Sequence, residues 1–374
     1  MKQSIYIFSF VLFLTGCRSA QEQVQTPDKR LVIIGYVPGF RGELDEKTIN
    51  ANKLTHINYA FVDVKDSMAW LTNIETDTIN FRRLNNLKRD NPDLKIIISI
   101  GGWAWSENFS DAVLTETSRE KFASSAVQIV KQYDLDGVDI DWEYPGMPGE
   151  DNVYRPEDKQ NFTLMFKSLR EKLDELKVEK NKPYFLTTAV CGYQECIDHM
   201  EIDKAVHYLD YVNIMTYDFY VEGEVAGHHT NLFFSESENE LSADKAVKNY
   251  KKAGVPTNKI VIGIAFYGRS WIMNSSDNHG LNRSVKTVVE GAGYSVIKDS
   301  MVNQKGFTSY WDDRAKAPYL FNDQTNQLVS FDDERSVKHK CQYVKDNGLA
   351  GVMFWEYSSD PKEYLLNAIH ENMK

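Results

Sequence analysis

Residues 136–143 read Asp-Gly-Val-Asp-Ile-Asp-Trp-Glu, and three of the acids, Asp139, Asp141 and Glu143, fall at alternate positions. The segment begins beside Leu135 and is otherwise apolar, the character of a buried β-strand. Strand side chains alternate faces, so the three carboxylates would project to one side in a row. Neighbouring negative charges repel, and at least one of the three must hold a proton. No stability argument asks for such a row, whereas acid–base catalysis does. A solvated strand edge or a metal site is the alternative reading. Against it, Trp142, Tyr144 and Pro145 crowd the run and point to a pocket.

Outward from this stretch, the chain carries eight short β-rich runs, at 31–37, 54–62, 94–100, 137–142, 184–191, 211–215, 260–266 and 351–355. Several are continuously apolar, as in Ile96-Ile97-Ile98, which is how strands covered on both faces read. Between them lie stretches such as 120–133, 156–176 and 243–253, with apolar residues at three- and four-residue spacing. Gly254-Val255-Pro256 stops the last of these. Eight strands alternating with helices predict an α/β fold, a (β/α)8 TIM barrel, with catalytic residues at strand C-terminal ends. Glu143 lies just past the fourth run, where that rule places such a residue. About 85 residues separate the seventh and eighth runs, too many for one helix and its loops. The part at about 269–328 carries turn signals and short alternating segments, which predicts a small α+β insertion on the catalytic face.

The 374 residues are 42% hydrophobic and 26% charged, with a formal net charge of −11. That balance disfavours nucleic acid or a purely electrostatic hold on anionic membrane, and is indifferent to a neutral polysaccharide. After the N-terminus no apolar stretch is long enough to span a bilayer. Lys2 followed by the apolar run 5–14 has the form of a signal peptide. It ends in Leu14-Thr15-Gly16-Cys17, which resembles the lipobox of bacterial lipoproteins. The resemblance implies a signal peptide over 1–16, lipidation of Cys17 and a polar tether over 17–29, with the catalytic part over 30–374. An ordinary signal peptide with an incidental Cys is the alternative. Arg18 in place of Asp removes the inner-membrane retention signal known in some bacteria. The expected place is therefore the cell envelope, lipid-anchored to the outer membrane, in a leaflet the sequence leaves open. Cys191 and Cys196 are close enough to bridge in an oxidising compartment, although separate thiols fit equally well; Cys341 completes an odd set. His228-His229 reads as a solvated or groove-edge loop, and no metal or cofactor is expected.

The pattern Asp136-x-x-Asp139-x-Asp141-x-Glu143 resembles the signature of glycoside hydrolase family 18, the family of chitinases. Tyr144-Pro145 is more similar to the chitinase branch than to the branch that cuts N-linked glycans. Two further motifs agree. Ser99-Ile100-Gly101-Gly102-Trp103 resembles the family's Ser-x-Gly-Gly, whose Ser supports the acidic row. Met215-Thr216-Tyr217-Asp218 resembles Met-x-Tyr-Asp, whose Tyr contacts the substrate's N-acetyl group and whose Asp contacts the sugar. Trp355 closes the eighth run, and the resemblance implies that it is the aromatic floor under the reacting sugar, whose C–H faces pack on indole. Tyr36, Phe61, Tyr144, Tyr267, Arg269 and Trp271 follow or close other runs and are candidate groove residues. Trp103, Trp105 and Trp311 are candidates to extend the groove.

The resemblance implies catalysis by Glu143, Asp141, Asp139 and Tyr217. Substrate binding would fall to Tyr36, Phe61, Gly102, Trp103, Tyr144, Met215, Asp218, Tyr267, Arg269 and Trp355. Glu143 would be the general acid, which needs a pKa above that of a free Glu. It also implies that the substrate's acetamido oxygen replaces the second carboxylate as nucleophile. The expected function is a retaining, endo-acting chitinase on β-1,4-linked N-acetylglucosamine, working as a monomer. The alternatives are an endo-β-N-acetylglucosaminidase on N-glycans and a catalytically inactive glycan-binding lectin. A lectin of this family would have lost the acid, and Glu143 is present.

Overall fold

The computed structural model describes residues 31–237 and 241–374. The signal segment, Cys17 and the tether lie outside the described residues. All eight predicted runs form parallel strands: β1 (Val32–Pro38), β2 (His56–Lys65), β3 (Lys95–Gly101), β4 (Gly137–Asp141), β5 (Phe185–Cys191), β6 (Tyr211–Met215), β7 (Ile260–Ala265) and β8 (Gly351–Trp355). β1 pairs with both β2 and β8, so the eight parallel strands close into a barrel. The (β/α)8 barrel is thus the observed fold.

Helices Ile74–Asn86, Glu116–Gln132, Asp158–Lys180, Ala243–Lys252, Glu334–Asp346 and Tyr364–Met373 pack around it. Each buries one face, as Phe122, Ala126, Val127 and Val130 do on the second of them. Two apolar layers result. Ile57, Ile98, Val138, Leu186 and Ile262 point outward to the helices, and burying each such side chain contributes about 1.5–3 kcal/mol. Ile34, Tyr36, Val261, Ala265 and Met353 fill the barrel itself. One expectation fails locally. Between β1 and β2 there is no α-helix, only short 3₁₀ turns at Gly39–Arg41, Glu46–Thr48 and Ala51–Lys53. That connection carries Gly39, Gly42 and a β-branched Thr48-Ile49 pair, and it offers no sustained apolar stripe.

The insertion between β7 and β8 is α+β, as expected. Strands Arg269–Met273, Arg283–Val289, Phe307–Asp312, Ala317–Asn322 and Gln327–Ser330 make an antiparallel sheet, with helix Tyr294–Ser300 beside it. A sixth strand, Val225–Ala226, joins the sheet from the loop after β6. Trp271 is buried in this sheet and its Nε1 donates to the Val221 carbonyl, so it is a core residue and not a groove residue. Trp311 is turned away from the cleft; the Arg335 guanidinium lies 3.7 Å over its ring. His228 and His229 are buried under the sheet, which overturns the solvated alternative; His229 lies at the groove edge, its Nδ1 3.4 Å from Asp218.

Among the described residues one ion pair is fully buried. Lys340 Nζ donates to Asp332 Oδ2 at 2.6 Å and to Thr230 Oγ1 at 2.7 Å. Asp332 also accepts from the Ala265 amide, which ties the Glu334–Asp346 helix to the end of β7. Removing one partner leaves the other charge buried and uncompensated. Lys340→Ala is expected to lose about 3–5 kcal/mol in denaturant unfolding, with Asp332→Asn/Lys340→Met recovering part of the loss.

Candidate active site

The strand register builds the site from below. Ser99 on β3 and Thr187 on β5 lie directly beside Asp139 on β4. Asp139 is fully buried and accepts four hydrogen bonds: Ser99 Oγ at 2.7 Å, Tyr36 Oη at 2.9 Å, Thr187 Oγ1 at 2.5 Å and Asn213 Nδ2 at 3.3 Å. Burial raises its pKa, and the hydrogen bonds from Thr187, Ser99 and Tyr36 pull against that rise. Asp136 stands apart from the row. It faces the other end of β4, accepts from the Ile96 amide and pairs with Lys88 at 2.6 Å and Lys182 at 3.2 Å.

Two residues further up the strand, Asp141 Oδ1 is buried without a hydrogen-bond partner. Burial, and then the charges of Glu143 and Asp139, push Asp141 well above the carboxylate range. Glu143 sits at the mouth, and burial raises its pKa to about 7, with the Asp218 charge adding to the rise. Its amide donates to Ser106 Oγ at 2.9 Å, and Ser106 Oγ lies 2.9 Å from the Gly102 carbonyl. The row is therefore a coupled set of acids that share few protons, each raised above its ordinary value.

Tyr217 and Asp218 extend from β6 across the mouth. Tyr217 is buried, its hydroxyl 3.7 Å from Met353 Sδ. Asp218 pairs with Arg269 through two bonds of 2.8 and 2.6 Å, and His229 Nδ1 lies 3.4 Å away. Burial alone would raise Asp218, but its hydrogen bonds to His229 and Arg269 outweigh that and hold it ionised. Burial also lowers the His229 pKa, so Arg269 is the cation that balances Asp218. Trp355 closes β8, stacked on Phe61 at 5.4 Å and tilted against Tyr36 at 5.8 Å.

These side chains line a cleft of about 880 Å³. Of the candidates, Tyr36, Phe61, Trp103, Tyr144, Met215, Asp218, Tyr267, Arg269 and Trp355 line it with Asp141, Glu143 and Tyr217. Gly102 does not; it lies behind the row, its amide donating to the Asp141 carbonyl at 2.7 Å. A Cβ there would stand 2.5 Å from the Phe61 ring, and φ is +85°. Trp105 lines the cleft as expected. Phe40, Tyr193 and Glu222 line it too and were not anticipated, since they lie on loops after the strands. Ser106, Thr187 and Asn213 also escaped notice, because only register and loop path bring their polar atoms to the acids.

The model of glycosyl hydrolases family 18 matches residues 32–360. The chain belongs to this family. Among curated relatives, Chitinase A1 of Niallia circulans is 34% identical over 91% of this chain, which spans 58% of that protein. Chitotriosidase-1 of Mus musculus is 33% identical over 84% of this chain and 68% of its own length. A solved family 18 N-acetylglucosaminidase from Paenibacillus barengoltzii is 40% identical, with a TM-score of 0.86 over 91% of this chain and 99% of that one. Chitinase ChiW from Paenibacillus sp. str. FPU-7, titled a cell-surface-expressed multi-modular enzyme, is 40% identical with a TM-score of 0.85; the match covers 92% of this chain and 33% of that one. In this family 18 chain the acidic row occupies the mouth of the barrel.

The raised pKa of Glu143 is also a statement about stability. The folded state binds the Glu143 proton more tightly than the unfolded chain does. Its contribution is full below the ordinary Glu range and is lost as pH rises through about 7. Glu143→Gln, which cannot ionise, is expected to melt above the parent at pH 8 and to match it near pH 4. Calorimetric Tm values at the two pH values check this.

Proposed function

We propose that this protein is a retaining, endo-acting chitinase that cuts β-1,4-linked N-acetylglucosamine chains by substrate-assisted catalysis. The observation that carries the reading is the buried row Asp139–Asp141–Glu143 facing Tyr217, with the Trp355 indole lining the same cleft. Glu143, with its pKa near 7, is protonated under mildly acidic conditions and donates its proton to the glycosidic oxygen. Asp139 is saturated by hydrogen bonds and Asp218 is bound by Arg269, and in this reading Asp141 serves the acetamido group and not the anomeric carbon. The substrate's own acetamido oxygen attacks the anomeric carbon, giving an oxazolinium ion and releasing the leaving sugar. Asp141, with an uncommitted oxygen, accepts from the acetamido N–H and balances the charge on that ion. The Tyr217 hydroxyl steadies the acetamido oxygen. Water then opens the ion from the face the leaving group vacated, giving up a proton to Glu143. The configuration is retained.

A second reading has its own support. The N-acetylglucosaminidase from Paenibacillus barengoltzii matches along almost its whole length, which favours removal of single sugars over internal cutting. Incubating the protein with N-acetylglucosamine hexamer and following products by mass and anomer decides between them. Internal cutting releases dimers to tetramers first, as β-anomers; removal of single sugars releases monomer and pentamer. Glu143→Gln should lower kcat by at least about a hundredfold, the usual minimum for an acid catalyst. The parent's kcat should fall with a midpoint near pH 7 as Glu143 loses its proton.

We further propose that Cys17 is lipidated and that the protein sits on the outer membrane of the cell envelope. The lipobox-like Leu14-Thr15-Gly16-Cys17 supports this. So does the likeness to an enzyme described as cell-surface-expressed. Metabolic labelling with a palmitate analogue should mark the parent and not Cys17→Ala, and the variant should leave the membrane fraction.

A further inference from the structure

The wall of the cleft beside Glu143 is made by a loop with an unusual restraint. Cys191, the last residue of β5, is joined to Cys196 in helix Gln194–Asp198 by a disulfide, with Cα atoms 6.2 Å apart. The closed loop holds only four residues between the sulfurs, and one of them, Tyr193, lines the cleft. The foot of the loop at β5 is fixed. The Cys191 carbonyl accepts from the buried Tyr250 hydroxyl at 2.8 Å. Gly192 packs so closely that a Cβ would stand 2.8 Å from the Phe219 ring.

At the loop's tip, the Tyr193 hydroxyl donates to the backbone carbonyl of Asp218, and its ring meets Phe219 edge-on at 6.3 Å. Asp218 has a left-handed backbone with φ of 59°, and its side chain carries the Arg269 pair at the cleft mouth. Tyr193 therefore touches the cleft on one side and holds the Asp218 turn on the other. Tyr144, which follows Glu143 directly, continues the wall: Tyr193 is near enough to act on its hydroxyl electrostatically, and Trp103 lies 6.4 Å beyond. An acid that protonates a departing sugar must stand next to it, so the wall that begins at Glu143 is the one the leaving sugars meet.

We propose that Tyr193 is a specificity-determining residue for the leaving-group sugars, and that the Cys191–Cys196 bridge is the positioning element that presents it. This rests on the hydrolase reading above. Without the bridge, a tyrosine between β5 and helix Gln194–Asp198 would have more rotamers and backbone states to lose on meeting substrate; the bridge removes part of that freedom beforehand. The effect therefore falls on substrate binding more than on the chemical step. Two electrons and two protons from a dithiol open the bridge to two thiols, the dithiol becoming its own disulfide, and reoxidation closes it.

The test uses the parent, Cys196→Ser, Tyr193→Ala and the double variant, with N-acetylglucosamine hexamer as substrate. Cys196→Ser should raise KM about fivefold with kcat within about twofold, the split that marks lost binding and not lost chemistry. Tyr193→Ala should raise KM at least as much, and Cys196→Ser should add nothing on top of it, because both act through one side chain. Parent protein treated with dithiothreitol should show the same KM, returning after reoxidation; this arm decides the matter if Cys196→Ser fails to fold. An unchanged KM after loss of the bridge overturns the proposal, as do KM effects that multiply in the double variant. If the parent does not cleave the hexamer, the hydrolase reading fails. The proposal is then judged on hexamer affinity by calorimetry, with the same pattern required, and absence of binding overturns it too.

Discussion

Everything at the mouth of this barrel depends on the burial of Asp139. A carboxyl group taken wholly out of water is costly unless its lone pairs are occupied. Here the occupants come from four different strands, Tyr36 on β1, Ser99 on β3, Thr187 on β5 and Asn213 on β6. Only a closed barrel can bring four strands around one side chain, and only one register puts these polar atoms at the right height. Asp139 is thus a constraint on the fold as much as a part of the site. A one-residue slip of β4 would turn the whole row outward into the apolar layer under the helices.

Above this base the environment grades the acids. Asp139 has its oxygens committed, Asp141 has one uncommitted, and Glu143 meets the cleft with a pKa near 7. Three carboxyl groups of nearly identical intrinsic acidity are thereby given different duties by desolvation and mutual repulsion. Such a row lowers stability around neutral pH, a cost concentrated where the chemistry is. Stability is supplied elsewhere, by the two apolar layers.

The insertion is joined to this machinery by charge. Arg269 opens the first strand of the added sheet and grips Asp218 of the barrel with two bonds. His229, on the segment between them, is buried against the same carboxylate. The loop after β6 even lends Val225–Ala226 to the inserted sheet. The cleft wall is therefore shared between barrel and insertion, and either would be incomplete without the other.

Much of this was legible from local pattern. Continuous apolar runs separated by amphipathic stretches give eight strands and their order, because burial on both faces leaves an unmistakable composition. The alternation Asp139, Asp141, Glu143 gives the row, because strand geometry has a period of two. What local pattern does not hold is contact between distant segments. Thr187, Asn213 and Ser106 carry no signature of their own, since a lone Ser, Thr or Asn means little until register sets it beside a carboxylate. Trp271 and Trp311 look like groove residues in the chain, yet the inserted sheet turns one into its core and the other outward. His228-His229 reads as a solvated or groove-edge pair, and that same sheet buries it at the groove edge. Cys191 and Cys196 allowed either a bridge or two thiols, and the turn after β5 decides for the bridge. The sequence by itself determined which residue types stand in a row and that they end a strand, since those are matters of spacing along one chain. The tertiary structure decided which acids are buried, in which direction each acidity shifts and what shares the cleft with them, since desolvation and Coulomb interactions depend on distance through space.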